Sequence, residues 1–518
     1  MKKYAIYSII LISFFYHLSV YSQVAINKDS SNPSPNAILD VKGESNSHFY
    51  IDNINGRVGI GTITPSVMLD VNGDISTNGN IKQINNGNSV FIGESAGTDD
   101  DATNNRNVFI GYLAGTNNTT GERNTGIGAG ALILNTSGSY NTALGSNTLR
   151  NSNGERNTAV GYYALYNNTA SYNVAVGELA LKSNTTGTNN TSMGSSALKN
   201  NINASYNTAI GYRALYYNTS YKNTAIGNET LYYNTSGYEN IAMGYQSLYS
   251  NTEGFYNTAI GSRTLFNNIN GDGNVAIGYN ALFNNKSNSN TSVGNRSSKA
   301  NTDGNQNAAF GYSSLYKNQG GVQNTAVGSY AFYNGTSYSN STAIGYFAPI
   351  SGSNQVRIGN NSVSSIGGYA NWTNVSDSRF KTNINENIIG LDFILKLRPV
   401  TYNLNVDAIS KFINTPLDAI DKKTMHQKKI ELQCGFIAQE VEQAAQEVNF
   451  DFHGIDKPQN NNDYYGLRYA EFVVPLVKSI QEQQAIIIEQ KKQLLQLQSN
   501  LQKQQAEIKK IKKYLNIE

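Results

Sequence analysis

Two side chains that together could make or break an acyl bond stand five residues apart in Ser376-Asp377-Ser378-Arg379-Phe380-Lys381, just after the only tryptophan, Trp372. A serine hydroxyl is a weak nucleophile until a base takes its proton, and a neutral lysine amine is such a base. Lysine is neutral near pH 7 only where burial lowers its pKa. An enclosed Arg379 would push in the same direction, as a like charge. Ser and Lys are common residues, so their surroundings must say whether this pair is placed for chemistry. Other reactive sets are thin. The single cysteine, Cys434, allows no intrachain disulfide and no Cys-based zinc site, and His17, His48, His426 and His453 are scattered without ligand spacing. No metal site built on His and Cys, and no cofactor, is expected.

The elements that would position the pair come from the whole chain. At 518 residues it is too long for one core. A net charge of +3 with 14% charged residues gives no reason to expect a nucleic-acid partner. The one basic run, Lys509, Lys510, Lys512 and Lys513, sits on a helix end, where cations complement the dipole. Residues 1–22 read as a secretory signal: Lys2 and Lys3, an apolar stretch from Ile6 to Phe15, then Val20-Tyr21-Ser22 before a cut at Gln23. The apolar run is short for the ~20 residues of a membrane span. A secreted or cell-surface product without a transmembrane segment in the mature chain is expected. Residues 23–87 hold two related passages of short strands, Val24-Ala25-Ile26-Asn27 before Ala37 to Gly43 and Val58-Gly59-Ile60-Gly61 before Val67 to Gly73.

Residues 88–360 are a repeat array close to Asn-Thr-Ala-Ile-Gly-x-x-Ala-Leu-x-x-Asn. Its glycine recurs sixteen times, 16 to 18 residues apart, from Gly93 through Gly211 and Gly227 to Gly345. A unit this short cannot enclose a core alone and must stack on its neighbours. The apolar–small–apolar alternation of Ile241-Ala242-Met243 or Val275-Ala276-Ile277 predicts a strand, with Ile/Val filling one face and Ala lining the other. Ala214-Leu215 and Ala281-Leu282 are expected to begin a second short strand, and Asn-rich loops to close each coil. Coils paired at ~4.8 Å make a rod ~70–80 Å long. The alanine face invites close approach of further chains, so a homotrimer is expected. Thr142, Thr158, Thr208, Thr224 and Thr258 are expected to point inward, which disfavours an ice-binding surface. Tyrosines such as Tyr216, Tyr217, Tyr232, Tyr233 and Tyr249 crowd the loops. They could present a glycan-binding ladder, but packing against the next coil is the preferred reading. The array resembles the head repeats of trimeric autotransporter adhesins, whose Ala-Ile-Gly units form a left-handed parallel β-roll; units here are a few residues longer.

Past a linker, 361–375, composition shifts to an α+β domain over 376–470. Its landmarks are Leu391 to Tyr402, interrupted by Pro399, then Gly435-Phe436-Ile437-Ala438-Gln439-Glu440-Val441-Glu442, and Tyr465-Gly466-Leu467-Arg468-Tyr469. They predict a helix, a Pro-broken strand, a buried strand, a helix from near Ala438 and another strand. Residues 405–433 are a charged stretch outside these landmarks. Over 471–518, Val473, Ile480, Ile487, Leu494, Leu501, Ile508 and Leu515 recur every seven positions. Leu476, Gln483, Gln490, Leu497, Gln504 and Ile511 complete a coiled-coil seam.

This ordered set resembles the intramolecular chaperone domain of phage tail spikes and fibres, the peptidase S74 family. The resemblance implies a domain that ends a trimeric β-structured fibre, guides its assembly and then cuts itself off. It places the cut at Val375–Ser376, with Ser376 as nucleophile and Lys381 as general base. Gln443-Ala444-Ala445-Gln446 stands where that family usually has a proline. The expected whole is an exported homotrimeric β-solenoid with a C-terminal chaperone that acts once on itself. The alternatives are an uncleaved chaperone-capped fibre and a polysaccharide-binding or depolymerising tail-spike-like protein. Asp and Glu in the array do not recur in register as the paired carboxylates of glycoside cleavage would.

Overall fold

The computed structural model describes residues 24–27, 37–42, 48–52, 54–73, 75, 88–101, 103–415 and 422–517. The export signal expected over 1–22 lies outside them. The chain forms two compact units, up to Ile84 and from Asn85 onward. In the first, the two related passages fold alike. Strand β1 (Val24–Asn27) pairs parallel with β2 (Ala37–Lys42), Val24 opposite Leu39. Likewise β4 (Val58–Ile60) pairs parallel with β5 (Leu69–Val71), Val58 opposite Leu69. Strand β3 (His48–Asp52) runs antiparallel between the two pairs.

The second unit is a parallel β-solenoid followed by a small α+β region and a long helix. Among the described residues, seventeen strands of three residues, from β6 (Val90–Ile92) to β22 (Val356–Ile358), each pair parallel with the next. Pairing is strictly in register: Thr208, Ala209 and Ile210 face Thr224, Ala225 and Ile226. The last strand is one more than the sixteen glycine-marked units, because Gly359 closes a coil only 14 residues after Gly345.

Which face of the strand is inside reverses the expectation from composition. The central alanine is buried in coil after coil, with Ala209, Ala225, Ala242 and Ala259 fully enclosed. The flanking Thr and Ile/Val point outward, so the threonines expected inside face out, and the alanine face is the coil's interior, not a meeting surface for other chains. The reason is width. A strand of three residues turns only its middle side chain inward, and the interior of so thin a coil is completed by Leu215 or Leu282 from across it. The Ala-Leu segment is also not a second strand. Leu215 sits in a left-handed turn at φ 52°, and its N–H donates to Thr230 O of the next coil at 3.0 Å. Leucine tolerates this geometry better than a β-branched residue would. Burying each leucine contributes about 2 kcal/mol.

Much of the remaining interior is asparagine. Asn223, Asn240 and Asn257 are fully buried. Each accepts the next one's backbone N–H through Oδ1 at 3.0 Å, and Asn240 Nδ2 donates to Gly254 O at 2.8 Å. A second column links Asn251 Nδ2 to Asn234 Oδ1 at 2.8 Å. The asparagines therefore close each coil from inside, by side-chain bonds to the neighbouring coil. Replacing Asn240 by Ala strands the buried N–H of Asn257 and is expected to lower stability by ~1–3 kcal/mol; urea unfolding followed by circular dichroism measures this. Outside, rings stack on rings: Tyr216, Tyr232, Tyr249, Phe266 and Phe283 form a column with centroids 5.1–5.3 Å apart and nearly parallel planes.

Beyond the solenoid, α1 (Leu391–Ile394) leads past Pro399 to β23 (Val400–Tyr402), which pairs antiparallel with β24 (Gln433–Gly435). That second strand is half-exposed rather than buried, and Cys434 lies on its outer side. The charged stretch holds α2 (Val406–Phe412) and α3 (Lys422–Ile430). In α4 (Ala438–Glu447), Val441, Ala444 and Ala445 pack against Phe393, Phe452 and Phe472. The alanines standing in place of a proline thus let the helix run on and bury a small-residue face. Strands β25 (Ile455–Asp456) and β26 (Gly466–Leu467) form a short ladder. The final helix α5 (Val473–Tyr514) is 42 residues long. Its base is tied down where Glu482 Oε2 accepts the Leu391 N–H at 2.7 Å. From Ile480 onward its heptad residues are exposed. Among the described residues no helix is long and apolar enough to cross a membrane.

Candidate functional site

The linker between solenoid and C-terminal region is extended and open, with Tyr369, Trp372 and Val375 all exposed. It ends in a single 3-10 turn, Ser378–Phe380. Asp377 caps the turn: Oδ1 accepts the Arg379 N–H at 2.9 Å, and both carboxylate oxygens grip the Arg379 guanidinium, Nη2 to Oδ2 at 2.7 Å. The Lys381 N–H donates to Ser378 O at 3.2 Å, which closes the turn. This compact turn folds residues five apart onto each other. Lys381 Nζ donates to Ser376 Oγ at 2.8 Å. The pair singled out in the sequence is in hydrogen-bond contact, at the residue following the Val375–Ser376 bond.

Electrostatics refine the expected roles. The side-chain bonds from Arg379, then its backbone N–H, hold the Asp377 carboxyl below the usual carboxylate range. Asp377 in turn raises Arg379. Arg379 is thus matched to a carboxylate within the turn, and its part in the single chain is to fix the turn. Ser376 and Lys381 are both exposed in the single chain. The Asp377–Arg379 clamp was not singled out from sequence, although N-cap Asp at the head of a turn is a recognisable signal.

A second cluster, with no advance signal in its Asn-rich loop, joins the C-terminal region to the last coil. Asp463 is 8% exposed. It accepts from Ser351 Oγ at 2.5 Å and from the backbone N–H groups of Gln459 and Tyr464, each at 3.0 Å. Burial alone would raise its carboxyl, yet the donors Ser351, Gln459, Tyr464 and Gln355 together hold it below the ordinary range.

The parallel β-solenoid, together with the family match that follows it in the chain, is the plan of a tail-spike- or fibre-like protein. Residues 376–450 match the peptidase S74 family, described as chaperone of endosialidase, and the match begins at Ser376 itself. It takes in the charged stretch 405–433. No curated protein and no solved structure matches the chain.

Proposed function

We propose that this protein is an exported, self-associating surface rod whose C-terminal domain directs assembly and then cuts itself free between Val375 and Ser376. The observation that carries the reading is the 2.8 Å contact of Lys381 Nζ with Ser376 Oγ in an exposed tether, at the first residue of the family match. Neutral Lys381 takes the hydroxyl proton as Oγ attacks the Val375 carbonyl carbon. It passes that proton to the Ser376 nitrogen as the C–N bond breaks. Water then hydrolyses the resulting ester, leaving the Val375 carboxylate and a free serine. Each chain cuts once, and no external substrate is needed.

Two surfaces support self-association. Each strand offers its third residue outward, so Ile210, Ile226, Met243, Ile260 and Ile277 belong to an apolar stripe that follows the whole ladder from Ile92 to Ile358. The heptad face of α5 is likewise uncovered. A coiled coil of three such helices, with Gln483, Gln490 and Gln504 in its seam, would bring three stripes together and enclose the Ser376 turn. Introducing Ile226→Lys and Ile260→Lys together would place ammonium groups at that contact, each costing several kcal/mol to desolvate. Sedimentation equilibrium is expected to show single chains for this variant and trimers for the parent; trimers in both would move the interface elsewhere.

A further inference from the structure

We infer that the severed C-terminal piece does not leave: a polar latch independent of the tether holds it on the last coil of the rod. The inference rests on the self-cutting reading and concerns the fate of the two pieces once the Val375–Ser376 bond is broken.

The contacts across the junction involve residues up to Asn361 on the rod side and from Ser410 onward on the other. Besides the Asp463–Ser351 bond, Asn460 Nδ2 donates to Ser351 O at 2.8 Å and Gln459 Nε2 to Ser353 O at 3.1 Å. The charged stretch, unexplained by sequence, contributes a second point. Asn334 Nδ2 donates to the Ile413 carbonyl at 2.5 Å, and Asn361 Nδ2 to Ser410 Oγ at 3.0 Å. Arg357 of the last strand lies over the Tyr464 ring at 5.8 Å and 3.8 Å from Asp456. Cutting at Val375 severs only exposed backbone between these two sets and breaks none of the contacts.

Asp463 and Ser351 are both buried at this seam, so separation strips a carboxylate of its donors until water has replaced each of them. The last coil also has its own reason to stay covered, because a ladder of strands ends in unpaired backbone groups. In a trimer three latches would act together, and binding at one raises the effective concentration at the others.

The test separates the latch from the self-cutting chemistry. In a Ser376→Ala chain, residues 366–371 of the exposed linker are replaced by the recognition sequence of a specific protease. After digestion, the rod and the C-terminal piece are passed over a size-exclusion column at stepped dilution. Co-elution is expected with Ser351 and Asp463 intact. Ser351→Ala, a change on the rod that leaves the C-terminal fold untouched, is expected to weaken retention about tenfold, as loss of a charge-assisted bond implies. Asp463→Ala also leaves the Gln459 and Tyr464 N–H groups without their acceptor, so it is expected to weaken retention at least as much as Ser351→Ala. Separation of the parent pieces at every concentration, or retention unaltered by either substitution, would overturn the proposal. Because the engineered cut replaces the natural one, a chain that never cuts itself leaves this result intact.

Discussion

Expressed with Ser376→Ala, the chain is expected to run as one uncut polypeptide, whereas the parent yields a C-terminal piece of 143 residues, 376–518. Removing the hydroxyl removes the atom that contacts Lys381 and that the proposed mechanism directs at the Val375 carbonyl. Loss of a nucleophile within a catalytic pair lowers rates by ~10⁴-fold or more. Lys381→Met should fail to the same degree, since it leaves the hydroxyl without a base while keeping the length of the side chain. Mass spectrometry of the secreted product reads both the site and the extent of cutting. A parent chain that stays whole after assembling into trimers would remove the peptidase reading and leave the assembly reading in place. Because both residues are exposed in the single chain, cutting should also lag behind assembly. Diluting the chain, or breaking the stripe with Ile226→Lys and Ile260→Lys, is expected to slow cleavage without touching the turn.

The second large effect lies inside the rod. Gly227 has φ 135°, and a Cβ there would meet the Gly244 carbonyl oxygen at 2.5 Å and its carbon at 2.7 Å. Both obstacles are backbone, so no rotamer change relieves them. Gly227→Val would combine a forbidden conformation with an overpacked contact between coils, together ~3–6 kcal/mol. In a structure where each coil contacts only its neighbours, such a break opens the adjoining coils and not the distant ones. Limited proteolysis should show the array opening around residues 220–250, with the flanking coils protected. Gly273→Ala is the matched control: its φ is also positive, but a Cβ there meets nothing within 4 Å.

The contrast between what the repeat revealed and what it concealed has a physical origin. The unit length, the strand at Ala-Ile-Gly and the stacking followed from spacing, because a short unit has only its neighbours to pack against. The Ser376–Lys381 contact was also legible, since five residues spanning one tight turn bring side chains together. The sidedness of the strands was not. Alternation says that Thr208 and Ile210 share a face that Ala209 does not; it does not say which face is enclosed, and hydrophobicity alone points the wrong way. The middle strand residue shares the interior with a leucine from across the coil, so a small side chain fits there, and Thr and Ile are left for the outer surface. The asparagine columns were hidden for a related reason. In a single unit each resembles a loop residue, and only stacking shows that its amide bonds to the coils on either side. The latch around Asp463 had no local pattern, because its Ser351 donor lies 112 positions earlier in the chain.

The in-register ladder carries one last implication, for heredity rather than for energetics. Every coil presents to its successor the same surface that it receives from its predecessor, so a stretch of gene encoding one period could be duplicated or lost without disturbing either end. Each such event would lengthen or shorten the rod by one strand spacing, ~4.8 Å. The terminal coil, with its shorter 14-residue span and its bound Asp463 loop, would be carried along unaltered. Reach is therefore the property of this molecule that variation between generations can adjust in equal steps.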